Sequence, residues 1–129
     1  AASDVYKRQY LINLLPDTPA TQNIYNSELF DLLKPSAMFI NAGRGAAVVD
    51  EDLVSALQAD RLAAAVIDVC RVEPLPAGHM FWTAPRLLLT GHSSAPTQPA
   101  LMVKLFVDNL ERFQAGQALQ GLVDFSRDY

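Results

Sequence analysis

The stretch Phe39-Ile-Asn-Ala-Gly-Arg-Gly45, followed soon after by Val48-Val49-Asp50, decides how the chain is read. A short apolar run stops at a glycine-flanked arginine, and a helix-opening pattern starts just beyond it. This is the strand–loop–helix order of an α/β unit, with the loop at the carboxyl end of the strand. Two later apolar runs end in the same manner, one in Asp68-Val-Cys-Arg-Val-Glu73-Pro74-Leu75-Pro76 and the other in Thr90-Gly91-His92. Arg44, Glu73 and His92 are therefore expected along one edge of a sheet. An arginine, a carboxylate and an imidazole gathered there suit redox chemistry on a small 2-oxo or 2-hydroxy acid.

Outward from this stretch the rhythm is strand, helix, strand, helix. Residues 10–15 form a mostly apolar run closed by Pro16-Asp17-Thr18-Pro19. Asn26 or Ser27 can cap a short helix that buries Leu29, Phe30, Leu32 and Leu33 and ends before Pro35. Residues 37–41 are predicted as the next strand. Asp50 is expected to cap a helix over residues 51–59, with Glu51 and Asp52 in its first turn and Val49 and Val54 as a hydrophobic staple. Residues 63–69 and 86–90 are two more strands, nearly free of alternation, as suits a parallel sheet covered on both faces. A last helix is predicted over residues 99–115, with Pro99 in its first turn and Gly116 as a left-handed stop. Met102, Leu105, Phe106, Leu110 and Phe113 form its apolar stripe, expected to be core and not a cofactor box. The fold class is α/β, a doubly wound parallel sheet or a large part of one.

At 129 residues the chain fits one domain, and with 50% hydrophobic residues it can bury a real core. The net charge of -4 argues against nucleic acid and anionic membrane as partners. No apolar run approaches the length of a membrane span. The single Cys70 cannot form an internal disulfide, which sets the expectation of a reducing cytoplasm and of a buried, inert thiol. One cysteine and two separated histidines give no metal-ligand cluster. Residues 1–9 do not join the rhythm; Val5-Tyr-Lys-Arg-Gln9 reads as a translated adaptor or scar and is set aside from the fold. The tail after Gly116, with Leu119, Leu122, Val123 and Phe125, is too apolar for a free linker and is expected to dock.

Each candidate residue has a plainer alternative. The glycines beside Arg44 permit close backbone approach and unusual φ values, and its guanidinium could hold a carboxylate bidentately and polarise the adjacent carbonyl. On its own, Arg44 is equally a surface arginine on a glycine-rich turn. His92 lies in a loop, where an imidazole can donate a proton to a forming alkoxide, or can simply face solvent. Glu73 could bond His92, fix its tautomer and favour the imidazolium, or could be a solvated carboxylate before Pro74. Asp68 could accept from a nicotinamide carboxamide or meet a backbone donor as a strand-end cap. His79, in the turn Pro76-Ala-Gly-His79, is expected to be an exposed loop histidine.

Taken in order, these stretches resemble the D-isomer-specific 2-hydroxyacid dehydrogenase family. The matching segments are Leu11-Ile-Asn-Leu-Leu-Pro-Asp-Thr-Pro-Ala-Thr21, the Phe39–Gly45 stretch, Val49-Asp-Glu-Asp-Leu53, Ile67-Asp-Val69 with Glu73-Pro-Leu-Pro76, and Leu89-Thr-Gly-His92. Thr97-Gln-Pro-Ala100 and the ending Val123-Asp-Phe-Ser-Arg-Asp-Tyr129 are most similar to its glyoxylate/hydroxypyruvate reductase A branch. The resemblance implies that Arg44 binds and polarises a 2-oxo acid, that His92 is the acid/base and that Glu73 is its partner. It also implies that Leu15, Pro16, Ala42, Gly43, Arg44, Asp68, His92 and Ser94 line the nicotinamide side of NADPH or NADH, the branch favouring NADP. A homodimeric parent and a small 2-oxo or 2-hydroxy acid substrate follow from the same likeness. Gly91 stands where the family usually has proline, and Asp60 replaces a common turn glycine. No G-x-G-x-x-G occurs. The resemblance therefore implies a partial Rossmann-like fold. Residues 10–115 would be the C-terminal part of an NAD(P)-binding domain, and residues 116–129 a tail returning toward a substrate domain. The chain alone is then expected to be inactive. A non-catalytic, dinucleotide-binding corepressor-like protein of the same fold is the main rival; a flavodoxin-like module would need phosphate loops that the sequence lacks.

Overall fold

In the computed structural model, residues 8–126 are described. Four short strands, β1 (Tyr10–Asn13), β2 (Met38–Asn41), β3 (Ala64–Ile67) and β4 (Leu87–Leu89), form one parallel sheet in the order β1-β2-β3-β4. Pairing is in direct register, Asn13 opposite Asn41 and Asn41 opposite Ile67, with Ile67 opposite Leu89. The strands are shorter than their apolar runs, because the residues after each one leave the ladder to build the loops of the site.

Helix α1 (Ser27–Asp31) is capped by Asn26, whose side chain accepts from the Leu29 amide, as expected. It buries Phe30, and Leu33 just beyond it, but Leu32 is 43% exposed. Leu32 is the C-cap, its amide on the Leu29 carbonyl, and it lies off the face that Phe30 and Leu33 bury. Helix α2 (Asp50–Gln58) starts one residue earlier than predicted. Val49 is its N-cap and makes no side-chain cap bond, while Asp50 is the first helical residue. The cap expectation for Asp50 is thus corrected: its carboxylate faces His79 instead. The staple register moves with it, to Val48 and Leu53, both fully buried. Asp52 reaches across to accept the Ser27 amide at 2.8 Å, joining the two helices.

The core gathers Tyr25, Phe30, Phe39, Leu53, Leu57, Leu62 and Ile67, with the Phe39 ring 4.9 Å from Tyr25 and 5.4 Å from Phe30. Asp60 adopts the left-handed conformation that its replacement of a turn glycine requires, with φ of 56°. The chain divides into two compact units, residues 1–94 and residues 95–129. The second holds helix α3 (Pro99–Gln114), with Pro99 in its first turn. The helix ends in a Schellman pattern: Gly116, at φ of 65°, donates to Phe113, and Gln117 donates to Arg112. Asn109 and Gln120 exchange two hydrogen bonds, which folds the start of the tail onto its own helix. The apolar stripe departs from expectation: Met102, Phe106 and Phe113 are all more than half exposed, and no residue of α3 is buried. Amphipathic spacing predicts a face and not what covers it. Leu122, Val123 and Phe125 in the tail are exposed as well. Among the described residues no helix is long and apolar enough to cross a membrane.

Candidate active site

Because the strands are parallel, the loops that follow them open at one end of the sheet. Leu15 and Pro16 follow β1, Ala42, Gly43 and Arg44 follow β2, Asp68 and Glu73 follow β3, and His92 and Ser94 follow β4. Arg44 and His92 accordingly share an end of the sheet.

Two buried asparagines fix this end. Asn13 Nδ2 donates to Asn41 Oδ1 at 2.8 Å while Asn13 Oδ1 accepts from the Leu15 amide and the Tyr25 hydroxyl. Asn41 accepts from the Gly43 amide and donates to the carbonyls of Arg44 and Val69. Both side chains are fully buried, and together they satisfy backbone groups released at the ends of three neighbouring strands. Sequence reasoning passed over them. Their signal was present: a polar residue closes each of two otherwise apolar runs, in matching register.

The glycines beside Arg44 answer to space and not to φ. Neither lies in the left-handed region. A Cβ on Gly43 would sit 2.9 Å from Asn13 Nδ2 and from the Leu15 carbonyl oxygen. One on Gly45 would sit 2.1 Å from the Cys70 carbonyl carbon and 2.3 Å from the Arg71 nitrogen. Arg44 is exposed and extended, and its guanidinium donates to the Gly43 carbonyl at 2.9 Å.

The loops after β3 and β4 meet at His92. Its Nδ1 lies 2.9 Å from Glu73 Oε2, and the Cys70 amide donates to Glu73 Oε1 at 2.8 Å. The His92 hydrogen bond, joined by the Cys70 amide, holds the Glu73 carboxyl below the usual glutamate range. An ionised Glu73 can accept from Nδ1–H, which would fix the ring's tautomer and leave Nε2 unengaged by Glu73. His92 itself has a φ of 53°, uncommon for a residue with a side chain. Asp68 holds it there: its carbonyl accepts the His92 amide at 2.8 Å, and its carboxylate accepts the Ser93 amide, the Ser94 amide and the Thr90 hydroxyl. Hydrogen bonds from Ser94, Thr90 and Ser93 hold the Asp68 carboxyl far below the ordinary range. Of the two roles open to Asp68, the geometry displays the loop cap.

Asp68, Glu73 and His92 line one cavity of about 350 Å³, walled by Pro74, Leu75, Trp82 and Leu89. Arg44, Leu15, Pro16, Ala42, Gly43 and Ser94 stand at the same end of the sheet but do not line it. Trp82 and Leu75 were not anticipated; Trp82 is steadied by its indole N–H on the Pro76 carbonyl at 2.8 Å. Cys70 also lines this cavity, half-buried, its thiol pushed up by burial and then by the neighbouring Glu73, Asp50 and Asp68. His79 is not the exposed loop residue expected. Its Nε2 lies 3.3 Å from Asp50 Oδ2, its Nδ1 accepts the Phe81 amide, and its ring packs edge-on to Phe81. Burial raises the Asp50 carboxyl, with His79 and Arg71 opposing.

The carboxylates set the response to acid. Asp68 and Glu73, both depressed, stabilise the fold above the ordinary carboxylate range and lose that contribution as pH falls through their folded values; Asp50, raised, acts in the opposite sense. Asp68→Asn replaces an acceptor oxygen with an N–H facing other donors. It should cost about 1–3 kcal/mol at neutral pH. It should also flatten the loss of stability below about pH 4. Denaturant unfolding from pH 7 to pH 2 checks both; an unchanged acid slope would contradict this role for Asp68.

The chain belongs to the D-isomer specific 2-hydroxyacid dehydrogenase family: the model of its NAD binding domain matches residues 4–94. Among curated relatives, glyoxylate/hydroxypyruvate reductase A of Yersinia enterocolitica is 45% identical over 94% of this chain, and that of Serratia proteamaculans is 46% identical over 94%. The chain spans 39% of the length of each. Of solved structures, the NADPH-dependent glyoxylate/hydroxypyruvate reductase of Sinorhizobium meliloti in complex with NADP and sulfate superposes with a TM-score of 0.92 at 32% identity, over 99% of this chain and 42% of that one. The D-isomer specific 2-hydroxyacid dehydrogenase of Xanthobacter autotrophicus Py2 in complex with NADPH gives 0.92 at 33% identity, over 99% and 53%. The doubly wound, Rossmann-like expectation agrees with these neighbours.

Proposed function

We propose that the whole protein reduces a small 2-oxo acid, glyoxylate or hydroxypyruvate, to the 2-hydroxy acid with hydride from NAD(P)H. The 2.9 Å bond between Glu73 and His92, at the sheet end that also carries Arg44, is the observation that carries this reading. The complete set of Arg44, Glu73 and His92 at one sheet end favours this reading over a corepressor-like binding protein. The available groups fit the redox end of a nicotinamide dinucleotide: an imidazole Nε2, an exposed guanidinium and the apolar Leu15–Pro16 pair after β1. When bound, the reduced nicotinamide supplies the hydride. Arg44 holds the substrate carboxylate and polarises the neighbouring carbonyl. His92 passes a proton from Nε2 to the carbonyl oxygen, and Glu73 keeps Nδ1–H directed away from the substrate. The NADP and NADPH held by the two structural neighbours favour the phosphorylated cofactor. Residues 10–115 would be the C-terminal part of the dinucleotide domain, and residues 116–129 would return toward a substrate domain. A homodimer in the cytoplasm completes the proposal.

The test is oxidation of NADPH by the whole protein with glyoxylate or hydroxypyruvate. Arg44→Ala should lower kcat/KM by roughly 100-fold or more, by loss of a donor aimed at developing charge. Near-normal rates would overturn the assignment.

A further inference from the structure

The arginine loop after β2 and the glutamate loop after β3 are separate stretches of chain, yet the reaction proposed above needs them at a fixed separation. We propose that Arg71 is a positioning residue that locks the Arg44 loop to the Glu73 loop and so sets the separation between the substrate-holding arginine and the Glu73–His92 pair; this rests on the functional reading given above.

Arg71 lies two residues before Glu73. Its Nη2 contacts the Asn23 side-chain oxygen at 2.6 Å, the Ala46 carbonyl at 3.2 Å and the Val48 carbonyl. Ala46 and Val48 follow Arg44 by two and four residues. Backbone carbonyls report where the chain is and not which side chain it bears, so a guanidinium seated on two of them measures the position of that loop. Asn23 is itself tied to it: its amide donates to the Ala46 carbonyl at 2.9 Å, and its φ is 56°. Beneath the guanidinium the contact is direct, since the Cys70–Arg71 peptide lies where a Cβ of Gly45 would be. Across the Cys70 Cα, the preceding peptide carries the Cys70 amide, the donor that holds Glu73 Oε1 at 2.8 Å. A continuous path therefore runs from the Arg44 loop through Arg71 and Cys70 to Glu73 and His92.

Misplacement of about 1 Å at a reacting centre can cost on the order of 100-fold in rate. In the whole protein, Arg71→Ala should lower kcat by about 10- to 100-fold, with KM for the 2-oxo acid changed less than about threefold and NADPH affinity retained. Arg71→Lys should recover part of kcat. Amide hydrogen exchange gives a second measure independent of turnover. Arg71→Ala should speed exchange at Ala47, Val48 and Cys70 together, while the amides of β1 to β4 keep their protection. Unchanged exchange in these loops, or unchanged kcat in a folded variant, would overturn the proposal, as would a uniform loss of protection with kcat and KM falling together. If the unaltered protein reduces no 2-oxo acid, the functional reading fails by itself and the exchange data still decide whether Arg71 locks the loops.

Discussion

In the whole protein, His92→Ala should lower turnover by about 100- to 10,000-fold, the range lost when a positioned general acid is removed. Folding should be nearly untouched, because the ring is 55% exposed and, among the described residues, its charged partner is Glu73. Glu73→Gln should cost less. The amide oxygen still accepts from Nδ1–H, so the tautomer survives while the charge opposing the imidazolium is gone. Because the His92 bond keeps the Glu73 carboxyl below the usual range, the Glu73 contribution should persist as pH falls past the point where an ordinary glutamate protonates, near 4.3, and fade only below it. Steady-state rates between pH 4 and 9 for the three proteins check this. A His92→Ala protein within tenfold of the original would remove His92 from the chemistry.

The second large effect belongs to a residue with no functional group. Gly45→Ala would place a methyl 2.1 Å from one backbone carbon, 2.2 Å from its oxygen and 2.3 Å from the next nitrogen. None of these atoms ends a flexible side chain, so the loops themselves must part by more than an ångström to restore contact. The expected cost is at the upper end of overpacking penalties, about 3 kcal/mol, together with loss of turnover from displaced Arg44 and Glu73 loops. Gly78→Ala is the matched control, since a Cβ there meets nothing within 4 Å and should leave both quantities unchanged. Denaturant midpoints and kcat for the two variants measure the contrast; a Gly45→Ala protein as stable as the control would show that the contact relaxes cheaply.

The sheet was legible because parallel strands covered on both faces are written as apolar runs, and the order of the runs follows from their strand–helix alternation. Arg44, Glu73 and His92 were legible as a set because each follows such a run. What escaped notice is mostly long-range. The bond between Arg71 and Asn23 joins residues 48 apart, and nothing local to either marks the other. Likewise His79 in its turn looks exposed until the start of α2 delivers Asp50 to it. The cap of α2 slipped by one residue because a carboxylate at either the cap or the first helical position favours the helix dipole. Leu32 was misassigned because it lies at the end cap, off the face that Phe30 and Leu33 share, and the stripe on α3 because amphipathic spacing marks a face without naming its cover. Asp68 was readable only as a pair of alternatives, of which its bonds to Ser93 and Ser94 display the loop cap.

The unbroken sequence of neighbours β1-β2-β3-β4 has a metric consequence. Adjacent strands in any sheet lie about 4.8 Å apart, so the anchor points of the Arg44 loop and the His92 loop, two strands distant, stand about 10 Å from each other whatever the loops contain. The hydrogen-bonded ladder acts as a gauge block: on the function proposed above, it would fix the footing from which the arginine and the imidazole reach one substrate. Insertions in the connection between β3 and β4 would reshape the cavity wall around Trp82 without altering that pitch. On the function proposed above, substrate preference could therefore drift by loop change, whereas the spacing of the two loop bases, from which Arg71 sets the side chains, is inherited from the sheet.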